Sequence, residues 1–193
     1  FEQPDFNSLF QCQKSETEKQ EKDAPKTSSE IIDTATVIDY FQSLSKELKI
    51  EDLITKILSM LAKNSGATRS ILLMLPADKA DINIYEHQEG RVSQYTLPEN
   101  DNQLYRIIPR KIFNYVQNTG KELMFNSLSE SNSGIDELFH DFQPPLAFLA
   151  LPLKKEEKLL AIIYLESSLM TDIFTPQRLE FMRNFSAQIS IFI

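Results

Sequence analysis

Apolar side chains are densest in Pro145-Leu-Ala-Phe-Leu-Ala-Leu-Pro-Leu153 and Leu159-Leu-Ala-Ile-Ile-Tyr-Leu-Glu166, joined by a charged link over residues 154–158. That link is too short for a helical crossover, so the two runs predict an antiparallel hairpin. Successive strand residues face opposite sides, which places Leu146, Phe148 and Ala150 on one side and Ala147, Leu149 and Leu151 on the other. A strand apolar on both sides needs cover on both. The hairpin therefore belongs at the centre of a sheet, between two packed layers.

The pattern changes along the chain. Residues 1–27 are polar and charge-mixed, too poor in apolar side chains for a core, and read as a linker or leader. Thr27-Ser-Ser-Glu30 fits a capping box, followed by a helix whose seam is Val37, Phe41, Leu44 and Leu48. A second helix starts near Ile50, with Glu51 and Asp52 in its first turn, a wide face of Leu53, Ile54, Ile57, Leu58 and Leu61, and a stop at Gly66. Strands follow at 70–75, 81–87 and 91–97, the last two weaker and expected near a sheet edge. Pro109 opens a short helix that Gly120 stops, a short strand covers 122–126, and Ile135 to Phe139 form one helical turn. After the hairpin, Thr175 caps a last helix opened by Pro176, with a seam of Met182, Phe185, Ile189 and Phe192. That seam is still apolar at Ile193, which predicts a helix continuing in a parent chain. The order of elements is α+β, with the first and last helices expected side by side on one sheet face. Ile71, Leu73, Leu149 and Ile163 are expected to be buried beneath them.

Composition narrows the function classes. The chain has 193 residues, 41% hydrophobic, enough for one domain plus an extension without disulfide or metal support. The single cysteine, Cys12, sits in the polar leader, which points to a reducing, cytoplasmic setting. A net charge of −8 argues against non-specific nucleic-acid or anionic-membrane binding, and no apolar run is long enough to span a bilayer.

Ile112-Phe-Asn-Tyr-Val116, Gln143-Pro144, Leu151-Pro-Leu153, Tyr164-Leu-Glu166 and Phe174-Thr-Pro-Gln-Arg-Leu-Glu180 together resemble a GAF domain over residues 31–193. The last two stretches are particularly similar to GAF modules of large bacterial signalling proteins, in which a kinase-like and ATPase region precedes the domain and a histidine kinase follows it. The resemblance implies a central antiparallel sheet of about six strands. Terminal helices would cover one face, and short helices and loops would form a ligand pocket on the other. Glu157 and Ala161 stand where that subgroup often carries Gly, and Phe142 where it often carries His.

No catalytic constellation is visible. His87 and His140 lack a cysteine or a metal-spaced carboxylate cluster, and Glu166 reads more readily as a loop cap than as a general base. Family members that reduce free methionine sulfoxide or attach a bilin use cysteines within the domain. Here Cys12 lies outside it. The expectations are therefore no enzymatic activity in this fragment, no cofactor and no metal, with a kinase as the parent. Residues 28–193 read as a sensory module, with residues 1–27 as its leader. The pocket candidates are Ile112, Tyr115, Phe139, Phe142, Phe148 and Tyr164, mostly apolar with two hydroxyls, and Arg106 and Arg110 are anion candidates at the rim. The partners expected are a small molecule, the adjacent kinase domains, and a second copy through the terminal helices. Two alternatives stand beside a ligand sensor: a dimerisation module with no ligand, and a cyclic-nucleotide-binding GAF domain.

Overall fold

A computed structural model describes residues 50–76, 81–126, 135–139 and 143–192, with only the backbone of Ile50, Ile135, Asp136, Gln188, Ile191 and Phe192. The expected leader, the capping box, the Val37–Leu48 seam, Cys12, His140 and Phe142 lie outside the described residues.

Helix α1 (Ile50–Ser65) carries Glu51 and Asp52 at its positive end. It stops at Gly66, whose φ of +77° only glycine adopts without strain, and whose N–H reaches the Ala62 carbonyl at 3.1 Å. Strands β1 (Arg69–Met74), β2 (Asp81–Gln88) and β3 (Arg91–Pro98) follow as an antiparallel meander. A 3₁₀ turn at Leu104–Arg106 leads to α2 (Arg110–Thr119), with Pro109 in the capping position and Gly120 as the left-handed stop. Then come β4 (Leu123–Phe125), one helical turn α3 (Ile135–Leu138), the hairpin β5 (Ala147–Lys155) and β6 (Lys158–Ser167), and α4 (Pro176–Phe192). At the start of α4 the Thr175 hydroxyl accepts the Arg178 N–H at 3.4 Å, the expected cap.

The six strands form one antiparallel sheet in the order β3-β2-β1-β6-β5-β4. The hairpin is central and the weaker β2 and β3 lie toward one edge, as the apolar patterning predicts. The hairpin link is shorter than expected: the ladder continues through the lysines, and only Glu156 and Glu157 turn the chain. Backbone pairing needs no apolar side chains, so a strand outlasts its hydrophobic run. Glu156 takes a φ of +56°, supplying the left-handed step in a turn that has no glycine.

Directly opposed residues in antiparallel strands share a face. Leu72, Tyr85, Leu149, Leu151, Ile163 and Leu165 therefore point to one side. There they form one core with Leu53, Ile54, Ile57, Leu58 and Leu61 of α1 and Leu179, Met182, Phe185 and Ile189 of α4. Ile71 and Leu73 are not among them. Ile71 pairs with Tyr164 and Leu73 with Ile162, so both face the opposite layer from Leu149 and Ile163, against the expectation that all four lie beneath the terminal helices. Met182, Phe185 and Ile189 are spent on the chain's own core.

Candidate functional site

The face turned away from α1 and α4 carries Ile71 and Leu73 from β1, Ile82 and Ile84 from β2, Ile162 and Tyr164 from β6, Phe148 and Ala150 from β5, and Leu123 and Phe125 from β4. All are buried. Buried Leu104 opens the 3₁₀ turn and buried Ile108 follows it, and Ile112, Phe113 and Val116 of α2, with Leu138 and Phe139 in and beside α3, belong to the layer over this face.

Three neighbouring strands bring the aromatics together. Phe125 opposes Phe148 across β4 and β5, and Tyr164 of β6 lies opposite Ala150, two residues along β5 from Phe148. The Phe148 ring sits 6.1 Å from Tyr164, nearly parallel at 28°, and 6.1 Å from Phe125. Phe139 meets Phe148 edge-on at 5.4 Å. These separations are those of paired aromatics, which favour offset or edge contacts. Of the pocket candidates, the structure thus groups Phe139, Phe148 and Tyr164, with Ile112 buried on α2 and Tyr115 half-buried three residues on. The expected rim arginines are both exposed, and Arg110 lies over the Tyr105 ring, 4.6 Å from its centre. Its charge is engaged by an aromatic face.

At one end of this face lies a polar group that the sequence analysis did not anticipate. Arg69, the first residue of β1, donates through Nε to Glu86 of β2 at 2.5 Å, and through Nη1 to Glu166 of β6 at 3.1 Å and to the Ile107 carbonyl at 3.2 Å. Tyr95 of β3 donates to the other Glu86 oxygen at 2.8 Å. Glu166 is therefore an ion-pair partner rather than a loop cap. Burial works against the Arg69 charge, yet the Glu166 and Glu86 carboxylates outweigh it and raise the pKa. The signal available in the sequence was an arginine sharing a face with Ile71 and Leu73.

Two residues from Glu166 on the same side of β6, the Tyr164 hydroxyl is fully buried, and among the described residues it makes no well-aligned hydrogen bond, with the Glu166 carboxylate as the acceptor within its reach. Burial, and then the Glu166 carboxylate through its charge and as acceptor for the phenol, push its pKa well above the ordinary phenol value, while Arg69 pulls the other way. The phenol stays neutral and keeps its proton to donate. Among the described residues no Ser or Thr hydroxyl is hydrogen-bonded to a histidine or carboxylate, and no group of three or more His, Cys, Asp or Glu could hold a metal ion. The arrangement suits binding: an apolar aromatic face with a polar end that carries two carboxylates, one guanidinium and a buried phenol.

The family model described as GAF domain matches residues 49–193. Over 143 residues, 72% of this chain, the sequence is 22% identical to the peroxide stress-activated histidine kinase mak3 of Schizosaccharomyces pombe, of which it covers 6%. Over 80 residues, 42% of this chain, it is 30% identical to the hybrid signal transduction histidine kinase G of Dictyostelium discoideum, of which it covers 2%. The chain thus spans a small part of these two relatives. The phycoerythrobilin-bound GAF domain from a cyanobacterial phytochrome superposes with a TM-score of 0.59 over 83% of this chain and 94% of that one. Identity there is 12%, a likeness of fold alone.

Proposed function

This chain belongs to the GAF domain family of signalling sensor modules, and from that premise we propose that residues 28–193 sense a small molecule for a cytoplasmic histidine kinase, with 1–27 as a leader. The two relatives named are both eukaryotic, so they lend no support to a bacterial parent. The observation that carries ligand binding is the Tyr164 hydroxyl. Among the described residues this buried phenol has only Glu166 as an acceptor, a carboxylate already engaged by Arg69, and a hydroxyl left wholly unpaired would cost about 1–3 kcal/mol, the upper bound here. A ligand acceptor at that point removes the cost. The occupant proposed is aromatic or heterocyclic, roofed by Ile112, Tyr115, Phe139 and Phe142. Arg69 is held between carboxylates and Arg110 by Tyr105, which argues against a highly charged ligand, while a cyclic nucleotide, with its single phosphate charge, stays the alternative, with exposed Arg106 as its rim cation. We propose no catalysis by this fragment.

A second reading, a structural module without a ligand, is favoured by the close ring contacts of Phe125, Phe139, Phe148 and Tyr164. The homodimer is proposed to use the Val37, Phe41, Leu44 and Leu48 seam, since Met182, Phe185 and Ile189 are buried in their own core. Native mass spectrometry of the purified chain and of Tyr164→Phe separates the two readings. A co-purifying small molecule lost in the variant, with the fold intact, supports sensing. No bound molecule in either protein, with the variant as stable as the parent or more so, supports the structural module.

A further inference from the structure

A concavity lies at the β4 edge of the sheet, apart from the aromatic face. It is a groove of about 330 Å³ between α4 and the far end of β5, at the lower end of the volumes that hold small ligands. The groove follows from the strand lengths. Strand β4 is three residues long and ends its pairing at Leu123 opposite Ala150, so β5 from Leu151 onward has no strand on that side. Pro152, which lines the groove with Leu151, has no N–H to leave unpaired on this open stretch.

The charged groups of the groove are Lys154, Arg183 and Glu122, and the Ser186 hydroxyl that also lines it donates to the Met182 carbonyl. Arg183 grips Glu122 with two nitrogens: Nε lies 2.8 Å from Oε2 and 3.1 Å from Oε1, and Nη2 also donates to Oε1. That pair is electrically closed. The Lys154 ammonium makes no ion pair or hydrogen bond to another described residue, so the groove holds two cations against one carboxylate on a chain whose net charge is −8. The tip of the Lys154 side chain lies over Gly120. A Cβ at Gly120 would push the flexible lysine tip aside, and it is the φ of +59° at the end of α2 that favours glycine there.

We propose that this groove is an anion site for a small molecule bearing one carboxylate or phosphoryl group, anchored by Lys154 and sharing Arg183 with Glu122. Leu151, Pro152 and Ala187 supply apolar walls for its body. Because Glu122 precedes β4 and Arg183 lies in α4, an anion that competes for the guanidinium also loosens a tie between the sheet edge and the last helix. This inference does not depend on the aromatic site.

The test is NMR titration of the ¹⁵N-labelled 193-residue chain with sodium propionate and, separately, inorganic phosphate, each at constant ionic strength with sodium chloride as reference. The expected result is saturable shifts at the Gly120, Leu151, Lys154 and Arg183 amides with at least one probe. Lys154→Gln should weaken binding about tenfold, the loss of one charge-assisted contact. Lys154→Arg should restore part of it, and Lys155→Gln, at an exposed neighbour, should change nothing. Saturation by propionate alone assigns a carboxylate, and by phosphate alone a phosphoryl group. Shifts that only track ionic strength, or that Lys154→Gln leaves unchanged, overturn the proposal and leave Lys154 as a cation serving the negative end of α2.

Discussion

The side chain of Asn126 holds the backbone of Phe174 from both sides: its Oδ1 accepts the Phe174 N–H at 2.9 Å, and its Nδ2 donates to the Phe174 carbonyl at 3.2 Å. Beside this clamp, the Asn126 carbonyl accepts the Asp172 N–H at 2.6 Å. One residue past a three-residue edge strand, Asn126 therefore continues the pairing of β4 with the segment that starts α4. A carboxamide does this because it presents one donor and one acceptor in the geometry of a peptide group.

Asn126→Ala removes both bonds and leaves the N–H and C=O of Phe174, a buried residue, without these partners. The expected loss is about 1–3 kcal/mol. Asn126→Asp keeps the acceptor and loses the donor, so it should fall between the two. Urea unfolding checks this: the midpoint should drop with the slope unchanged, and a midpoint equal to the parent's would show that the clamp carries no stability.

Arg69 sits between Glu86 and Glu166, each side chain about a fifth exposed or less. Arg69→Met places two carboxylates together on one sheet face without their cation. Breaking a buried pair typically costs about 3–5 kcal/mol, and partial exposure brings the expectation down to about 2–4 kcal/mol. Adding Glu86→Gln and Glu166→Gln should recover at least half of that loss, since no uncompensated charge then remains. If the triple variant is no more stable than the single one, the cost lies in packing around the arginine stem.

Alkaline stability should depend on two phenols. Burial, followed by Glu86 for Tyr95 and Glu166 for Tyr164, raises both pKa values above the unfolded tyrosine value of about 10. Groups that hold protons more tightly when folded stabilise the fold fully below the unfolded pKa, and that contribution is lost as pH rises toward and through the folded values. The parent should lose stability between pH 9.5 and 11.5, taken as about the range that brackets the unfolded value. Tyr95→Phe/Tyr164→Phe should lose less across the same range. Urea midpoints at several pH values give the comparison, and equal losses would place the alkaline sensitivity on other groups.

The sheet was legible because its central strands are apolar on consecutive positions, and because Gly66, Pro109, Gly120 and Thr175 mark helix ends where the structure has them. Which face met which layer was not legible. A strand such as Ser70-Ile-Leu-Leu-Met74 is apolar on both sides, and only its register with β6 shows that Leu72, not Ile71, meets the helices. The same limit hid the polar end of the candidate site. Arg69 reads alone as a charged strand start, and its carboxylates lie 17 and 97 residues away. Lys154 and Gly120 are likewise joined only by the fold.

The aromatic face gives a test of how much of it is core and how much is cover. Phe148 lies in the middle of β5, touches the rings of Phe125, Phe139 and Tyr164, and is fully buried. The strands around it are held by ladders on both sides and cannot close the space, so Phe148→Ala should cost about 3–5 kcal/mol. Phe139 follows a helix of four residues and meets Phe148 in a single tilted ring contact at 63°. A single turn relaxes more readily than a paired strand, so Phe139→Ala should cost about 1–2 kcal/mol less than Phe148→Ala, the spread that such sites show with their freedom to collapse. A cavity that persists behind Phe139 is apolar and should take up benzene, as dry engineered cavities do. Thermal unfolding with and without benzene reads both effects at once. A Phe139→Ala variant stabilised by benzene, with Phe148→Ala the less stable of the two, identifies this layer as a movable roof over a fixed floor. Equal costs with no response to benzene would make the two faces of the sheet equivalent cores, and the ligand reading would then rest on the Tyr164 hydroxyl alone.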